Sequence, residues 1–174
     1  MENAIQYINE QSKIKPTIGI VLGSGLDMFC DRLESKTNIS YNKIPDFRKT
    51  SVKGHKGEFV LGNLYNQSII CASGRFHYYE GSEYKDVAII IDLFKKVGCK
   101  YVIMTNSSGC VEKTWDIGDL MLITGHIDYS FRFSNDDPEI IQDNRYDLNL
   151  LNRIEQIAIK ENIVLRKGNY AWTT

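Results

Sequence analysis

Two residues in the stretch Gly74-Arg75-Phe76-His77-Tyr78-Tyr79-Glu80-Gly81 could do chemistry together. Arg75 and His77 lie two positions apart, so in an extended segment their side chains face the same way. An arginine offers a planar fork of N–H donors and a histidine adds one more, a set that suits a small oxyanion. The same residues also fit a surface turn whose arginine pairs with a nearby carboxylate. Before this stretch comes the apolar run Ile69-Ile70-Cys71-Ala72, which reads as a buried strand. After it, Val87, Ile90, Ile91, Phe94 and Val97 repeat at helical spacing from a start near Tyr84, with Gly98 as a natural stop. The donors therefore sit in a loop between a strand and a helix, where ligands bind in α/β sheets.

Two further strand ends have a similar character. Thr17-Ile18-Gly19-Ile20-Val21-Leu22 is β-branched and apolar, and Gly23-Ser24-Gly25 breaks it at once, with a helix expected from Asp27 to Leu33. This order can cradle a phosphate with backbone N–H groups, or it can be a plain tight turn. No third glycine completes a dinucleotide fingerprint, since Met28 holds that place, and there is no Walker A lysine. Tyr101-Val102-Ile103-Met104-Thr105 reads as a second buried strand, ending at the small polar residues Asn106-Ser107-Ser108-Gly109.

These strands and loops belong to a chain of 174 residues, with 43% hydrophobic and 25% charged residues, which is globular composition. A formal net charge of -1 gives no bulk attraction for nucleic acid or for an anionic membrane. The longest aliphatic run, Val87 to Ile91, is too short to span a bilayer. Met1-Glu2-Asn3 opens without an apolar signal region. Cys30, Cys71, Cys99 and Cys110 form no CxxC pair, and Cys71 and Cys99 are expected as buried free thiols, so a cytoplasmic location is expected. His55, His77 and His126 lack metal-ligand spacing, so no metal is expected.

The remaining pattern sets the architecture. Ile5 and Ile8 mark a short helix before Pro16. Thr37 to Lys53 reads as loop with one edge strand. Gly54-His55-Lys56-Gly57 is a turn, and Glu58–Leu64 with Ser68–Ser73 is a hairpin joined around Asn66-Gln67. A strand at Asp119–Ile123 precedes a long polar loop, Gly125 to Asp147, of a length that is usually functional or lies in an interface. Leu150, Leu151, Ile154, Ile157 and Ala158 mark an amphipathic helix, followed by strand-like Ile163–Leu165 and Gly168–Thr174. The whole is one α/β domain, residues 1–174, with a mostly parallel or mixed twisted central sheet and flanking helices. The loops around Ser24, Arg75 and Ser107 should converge on one rim of that sheet.

Those loops, in that order, resemble the trimeric purine nucleoside phosphorylases. The matching stretches are Leu22-Gly23-Ser24-Gly25-Leu26, Gly54-His55-Lys56-Gly57, the octet Gly74–Gly81 and Thr105-Asn106-Ser107-Ser108-Gly109, with Ile117-Gly118-Asp119 and His126-Ile127. The methylthioadenosine phosphorylases share the layout but resemble the octet less well. The resemblance implies phosphate-dependent cleavage of purine nucleosides to free base and ribose 1-phosphate, with no cofactor and with inorganic phosphate as co-substrate. It implies that Ser24, His55, Arg75, His77 and the backbone at Ser107 hold phosphate, and that His77 and Tyr79 serve the ribose and the reaction. Tyr146 is similar in placement to an aromatic residue that closes a neighbouring subunit's sugar site, which implies a homotrimer. The family pattern continues past Thr174, and the residues that grip the purine base belong to that further part, so no position here takes the role. A second reading is a non-catalytic domain that binds phosphate or assembles with partners.

Overall fold

The computed structural model describes residues 1–48, 56–78, 84–130, 138–141 and 145–173. The backbone groups into two compact units, Met1–Ser108 and Gly109–Thr174.

The N-terminal unit opens with α1 (Glu2–Gln11), whose Ala4 and Ile8, one helical turn apart, are buried. Next come β1 (Ile18–Leu22), a 3-10 turn at Asp27–Arg32, and β2 (Glu34–Ser40). The helix expected at Asp27–Leu33 is thus the tighter 3-10 form, typical of short connectors. β3 (Glu58–Leu64) and β4 (Gln67–Ser73) form the expected hairpin. Leu64 pairs with Gln67, so the loop is Tyr65-Asn66, one residue earlier than expected. Both loop residues have positive φ, 48° and 61°, as the primed two-residue turn demands. α2 (Tyr84–Val97) and β5 (Tyr101–Met104) complete the unit. Gly98, at φ 105°, ends α2 in the left-handed conformation that glycine takes without a Cβ clash.

The sheet order is β2-β3-β4-β1-β5. β3 runs antiparallel to both β2 and β4, whereas β1 is parallel to both β4 and β5. The carboxyl ends of β4, β1 and β5 therefore lie side by side on one edge. Successive side chains divide between the two faces, as strand geometry requires. Val21, Phe59, Leu61, Ile70 and Ala72 join Tyr41, Phe76, Leu93 and Phe94 in one core. Ile20, Leu22, Val60, Ile69 and Cys71 meet Cys30 and Leu33 in a second. Gly19 admits α2 to the sheet, since a Cβ there would stand 2.3 Å from the Phe94 ring. One expectation needs correcting: β5 is not buried. It is the sheet's edge, paired with β1 on one side, and its residues are 41–62% exposed.

The C-terminal unit contains β6 (Leu120–Asp128), β7 (Glu139–Ile141), α3 (Leu148–Lys160) and β8 (Leu165–Trp172), with strand order β7-β6-β8. β6 is parallel to β8 and antiparallel to β7. The polar loop expected from Gly125 is therefore shorter than its composition suggested. Pairing with β8 carries β6 on to Asp128, and Glu139–Ile141 returns as a strand. The two strand-like segments at the end merge into β8 from Leu165, leaving Ile163 and Val164 outside it. Asp147 caps α3 by accepting from the N–H groups of Asn149 and Leu150, at 2.9 and 3.1 Å. No helix among the described residues is long and apolar enough to cross a membrane.

Candidate active site

Parallel pairing brings the loops after β1, β4 and β5 to one edge, and hydrogen bonds then tie them together. Thr105, just past β5, is the hub. Its Oγ1 donates to the Val21 carbonyl at 2.9 Å and accepts from the Gly23 N–H at 2.8 Å. Its own N–H donates to the same Val21 carbonyl at 3.0 Å, and its carbonyl accepts from Arg75 Nη1 at 3.0 Å. One threonine thus joins the strand end at Val21, the glycine loop and the arginine. Ser107 Oγ adds a longer contact to the Ser24 carbonyl at 3.4 Å. Gly23 must be glycine at this approach, because a Cβ would lie 2.8 Å from Asn106 Cα and 2.9 Å from the Thr105 carbonyl oxygen, both backbone atoms.

Three successive residues at the end of β4 are each held by a different part of the unit. Ser73 Oγ donates to Asp27 Oδ1 at 2.6 Å, the Gly74 carbonyl accepts from Tyr41 Oη at 2.8 Å, and Arg75 reaches Thr105. Phe76 then anchors the chain in the aromatic core, with its ring 5.9 Å from Tyr41 and 6.1 Å from Phe47. Burial, with the nearby carboxylates of Glu58 and Asp27 adding to it, holds the Tyr41 phenol well above its usual range. Tyr41 therefore stays a donor to Gly74 throughout the physiological range. Gly74 has φ 105°, and that left-handed turn redirects the chain from β4 so that Arg75 points toward β5. Arg75 is half-buried and commits Nη1 to Thr105, which orients the rest of its five-donor fork.

The expected site residues are distributed as follows. Ser24, Arg75 and Ser107 are brought together on one edge by the contacts above. His77 is half-buried two residues beyond Arg75. His55 and Tyr79 lie outside the described residues. Tyr146 belongs to the C-terminal unit, where its hydroxyl is 2.5 Å from His126 Nε2 and its ring stacks on that imidazole at 5.8 Å. The Tyr170 ring meets the His126 ring edge-on, with centroids 6.0 Å apart. Sequence reasoning passed over Thr105, Ser73, Asp27 and Tyr41. Thr105 alone left a signal, a hydroxyl at the exit of an apolar strand. The others depend on pairing register and on long-range approach.

The thiols fall partly as expected. Cys71 is fully buried, and its hydrogen bond to Cys30, together with burial, pushes its pKa far up, so it stays a thiol. Cys99 is only half-buried, although burial still raises its pKa to about 11. No cluster of three or more His, Cys, Asp or Glu among the described residues is placed to hold a metal ion. The chemistry available on the edge is anion binding: a half-buried guanidinium, hydroxyls, and backbone at a loop whose Gly25 adopts φ 83° with open space where a Cβ would stand.

Residues 17–174 match the phosphorylase superfamily. Purine nucleoside phosphorylase 1 of Bacillus subtilis (strain 168) is 35% identical over 188 aligned positions, covering 100% of this chain and 67% of the relative. Purine nucleoside phosphorylase 1 of Geobacillus stearothermophilus is 39% identical over 127 positions, 73% of this chain and 46% of the relative. The chain thus spans between about half and two thirds of these curated relatives. Among solved structures, isoform 2 of purine nucleoside phosphorylase from Schistosoma mansoni, in complex with cytosine and ribose-1-phosphate, superposes with a TM-score of 0.85 at 31% identity, covering 98% of this chain and 65% of that one. The Schistosoma mansoni enzyme in complex with inosine gives 0.86 at 30% identity, covering 98% and 64%.

Proposed function

Since the chain belongs to the phosphorylase superfamily, among the purine nucleoside phosphorylases, we propose that its loop edge binds inorganic phosphate for the phosphorolysis of purine nucleosides. The products would be free base and ribose 1-phosphate. The observation that carries this reading is the joining of the Ser24, Arg75 and Ser107 loops through Thr105 on adjacent parallel strands.

The roles follow from residue chemistry. Phosphate must shed water to sit beneath the anomeric carbon, and fixed donors offset that desolvation and orient the nucleophile. Arg75 supplies the charged fork, and Ser24, His77 and Ser107 complete the cradle with His55. As the glycosidic bond breaks, positive charge builds on the sugar, and the bound dianion stabilises it. His77 and Tyr79 face the ribose in this reading. No protein nucleophile, cofactor or metal is needed. The ribose-1-phosphate and inosine complexes of the Schistosoma mansoni relatives support the substrate class. We further read Tyr146 as reaching a neighbouring subunit's sugar site in a cytoplasmic homotrimer.

In this reading phosphate is the nucleophile, so the bond to the purine breaks only when the loop edge holds phosphate, and inosine cleavage is strictly phosphate-dependent. Following hypoxanthine release from inosine, with and without saturating phosphate, tests this. Strictly phosphate-dependent release supports the reading. Release at equal rates without phosphate would overturn it.

A further inference from the structure

We propose that Asp27 and Ser73 form a clasp between the glycine loop and the arginine loop, making Asp27 a positioning residue for the anion site. This rests on the reading of that edge as a phosphate site.

Ser73 is the last residue of β4 and 1% exposed, and its hydroxyl donates to Asp27 Oδ1 at 2.6 Å. A hydroxyl–carboxylate bond of that length is charge-assisted, roughly twice as strong as a neutral one. Asp27 stands two residues beyond Gly25, on the far side of the loop from the Gly23–Thr105 contact. The loop is thereby held at both ends: Gly23 to Thr105 of the β5 side, Asp27 to Ser73 of the β4 side. Between them Ser24 and Gly25 stay exposed, and the Ser107 contact to Ser24, at 3.4 Å, is too long to fix them alone. Without the clasp the glycine loop would be tied to β5 but not to the strand that presents Arg75. The Ser73 hydroxyl would also lose its partner in a buried position.

On charge alone the side chain at position 27 is unsuited to its place, since a carboxylate on a loop that takes a dianion repels it. The clasp gives that carboxylate a geometric role, which separates two effects that one substitution would confuse. Asp27→Asn removes the charge and keeps an oxygen that accepts from Ser73. Asp27→Ala removes both.

The experiment is calorimetric titration of the full 174-residue chain with inorganic phosphate, beside the Asp27→Asn, Asp27→Ala, Ser73→Ala and double-alanine variants. Asp27→Asn should bind as tightly as the wild type or more tightly. Each alanine variant should lose roughly tenfold in affinity, and the double variant no more than either single one. Amide exchange at Leu26, whose N–H bonds the Gly23 carbonyl at 3.2 Å, should quicken in Asp27→Ala even without phosphate. A wild type that binds no phosphate would overturn the site and the positioning role together. A wild type that binds, with alanine variants equal to it in affinity and in exchange at Leu26, would overturn the clasp alone.

Discussion

The two units have apolar strands and helices of similar pattern but bury them very differently. In the N-terminal unit, β1, β3 and β4 send alternate residues into two cores, and α2 buries Ile90, Leu93 and Phe94. In the C-terminal unit, Ala158 is the one buried apolar side chain among the described residues, and Leu150, Ile154 and Ile157 of α3 are exposed. Periodicity reveals which face of an element is apolar, but burial requires a partner for that face. The residues proposed to hold phosphate, apart from the undescribed His55, stand on the unit with the complete core. That placement fits what anion binding demands, because donors must be held rigidly before the ligand arrives.

The contrast can be broken most easily by truncating one buried and one exposed apolar residue. Phe59, fully buried between Tyr41, Phe47 and Phe94, should lose about 3–5 kcal/mol on change to alanine. Ile157→Ala, on the exposed face of α3, should lose less than about 0.5 kcal/mol. Urea unfolding measures both, and equal losses would erase the distinction. Deleting the α3 cap with Asp147→Ala should cost about 1 kcal/mol, seen as faster amide exchange at Asn149 and Leu150 with β1 and β4 unchanged. Coupled loss across both units would show that they unfold as one.

The smallest effect is a pH dependence confined to the C-terminal unit. The hydrogen bond from Arg166 Nε at 2.8 Å holds the Asp119 carboxyl below its ordinary 3.8. A carboxyl with a depressed folded-state pKa stabilises above its unfolded value, and loses that contribution as pH falls through the folded one. Exchange in β6 and β8 should therefore quicken below about pH 3.8, and Asp119→Asn should flatten that acid dependence. An unchanged acid limb in the variant would remove Asp119 from the explanation.

How far the sequence could be read follows the same division between local and long-range information. β1, the β3–β4 hairpin, α2 and its Gly98 stop were legible because local pattern and turn chemistry agree there. The convergence of Ser24, Arg75 and Ser107 was legible from strand order, since parallel neighbours must present their exits on one edge. The exposure of β5 was not legible, because the apolar residues Tyr101–Met104 do not say whether they stand at a sheet's centre or edge. Nor were the bonds of Ser73, Gly74 and Arg75 to Asp27, Tyr41 and Thr105, which join residues 30 or more positions apart. The extension of β6 to Asp128 was hidden by polar residues that pair with β8 all the same.

The claim on which the rest depends is that the N-terminal unit carries one phosphate site with Arg75 at its centre. Calorimetric titration with inorganic phosphate, comparing wild type, Arg75→Ala and Lys56→Ala, tests it most directly. The expected result is saturable binding that weakens roughly tenfold or more in Arg75→Ala and little in Lys56→Ala, since Arg75 is the guanidinium fixed on the loop edge. Equal affinity in wild type and Arg75→Ala would contradict the account.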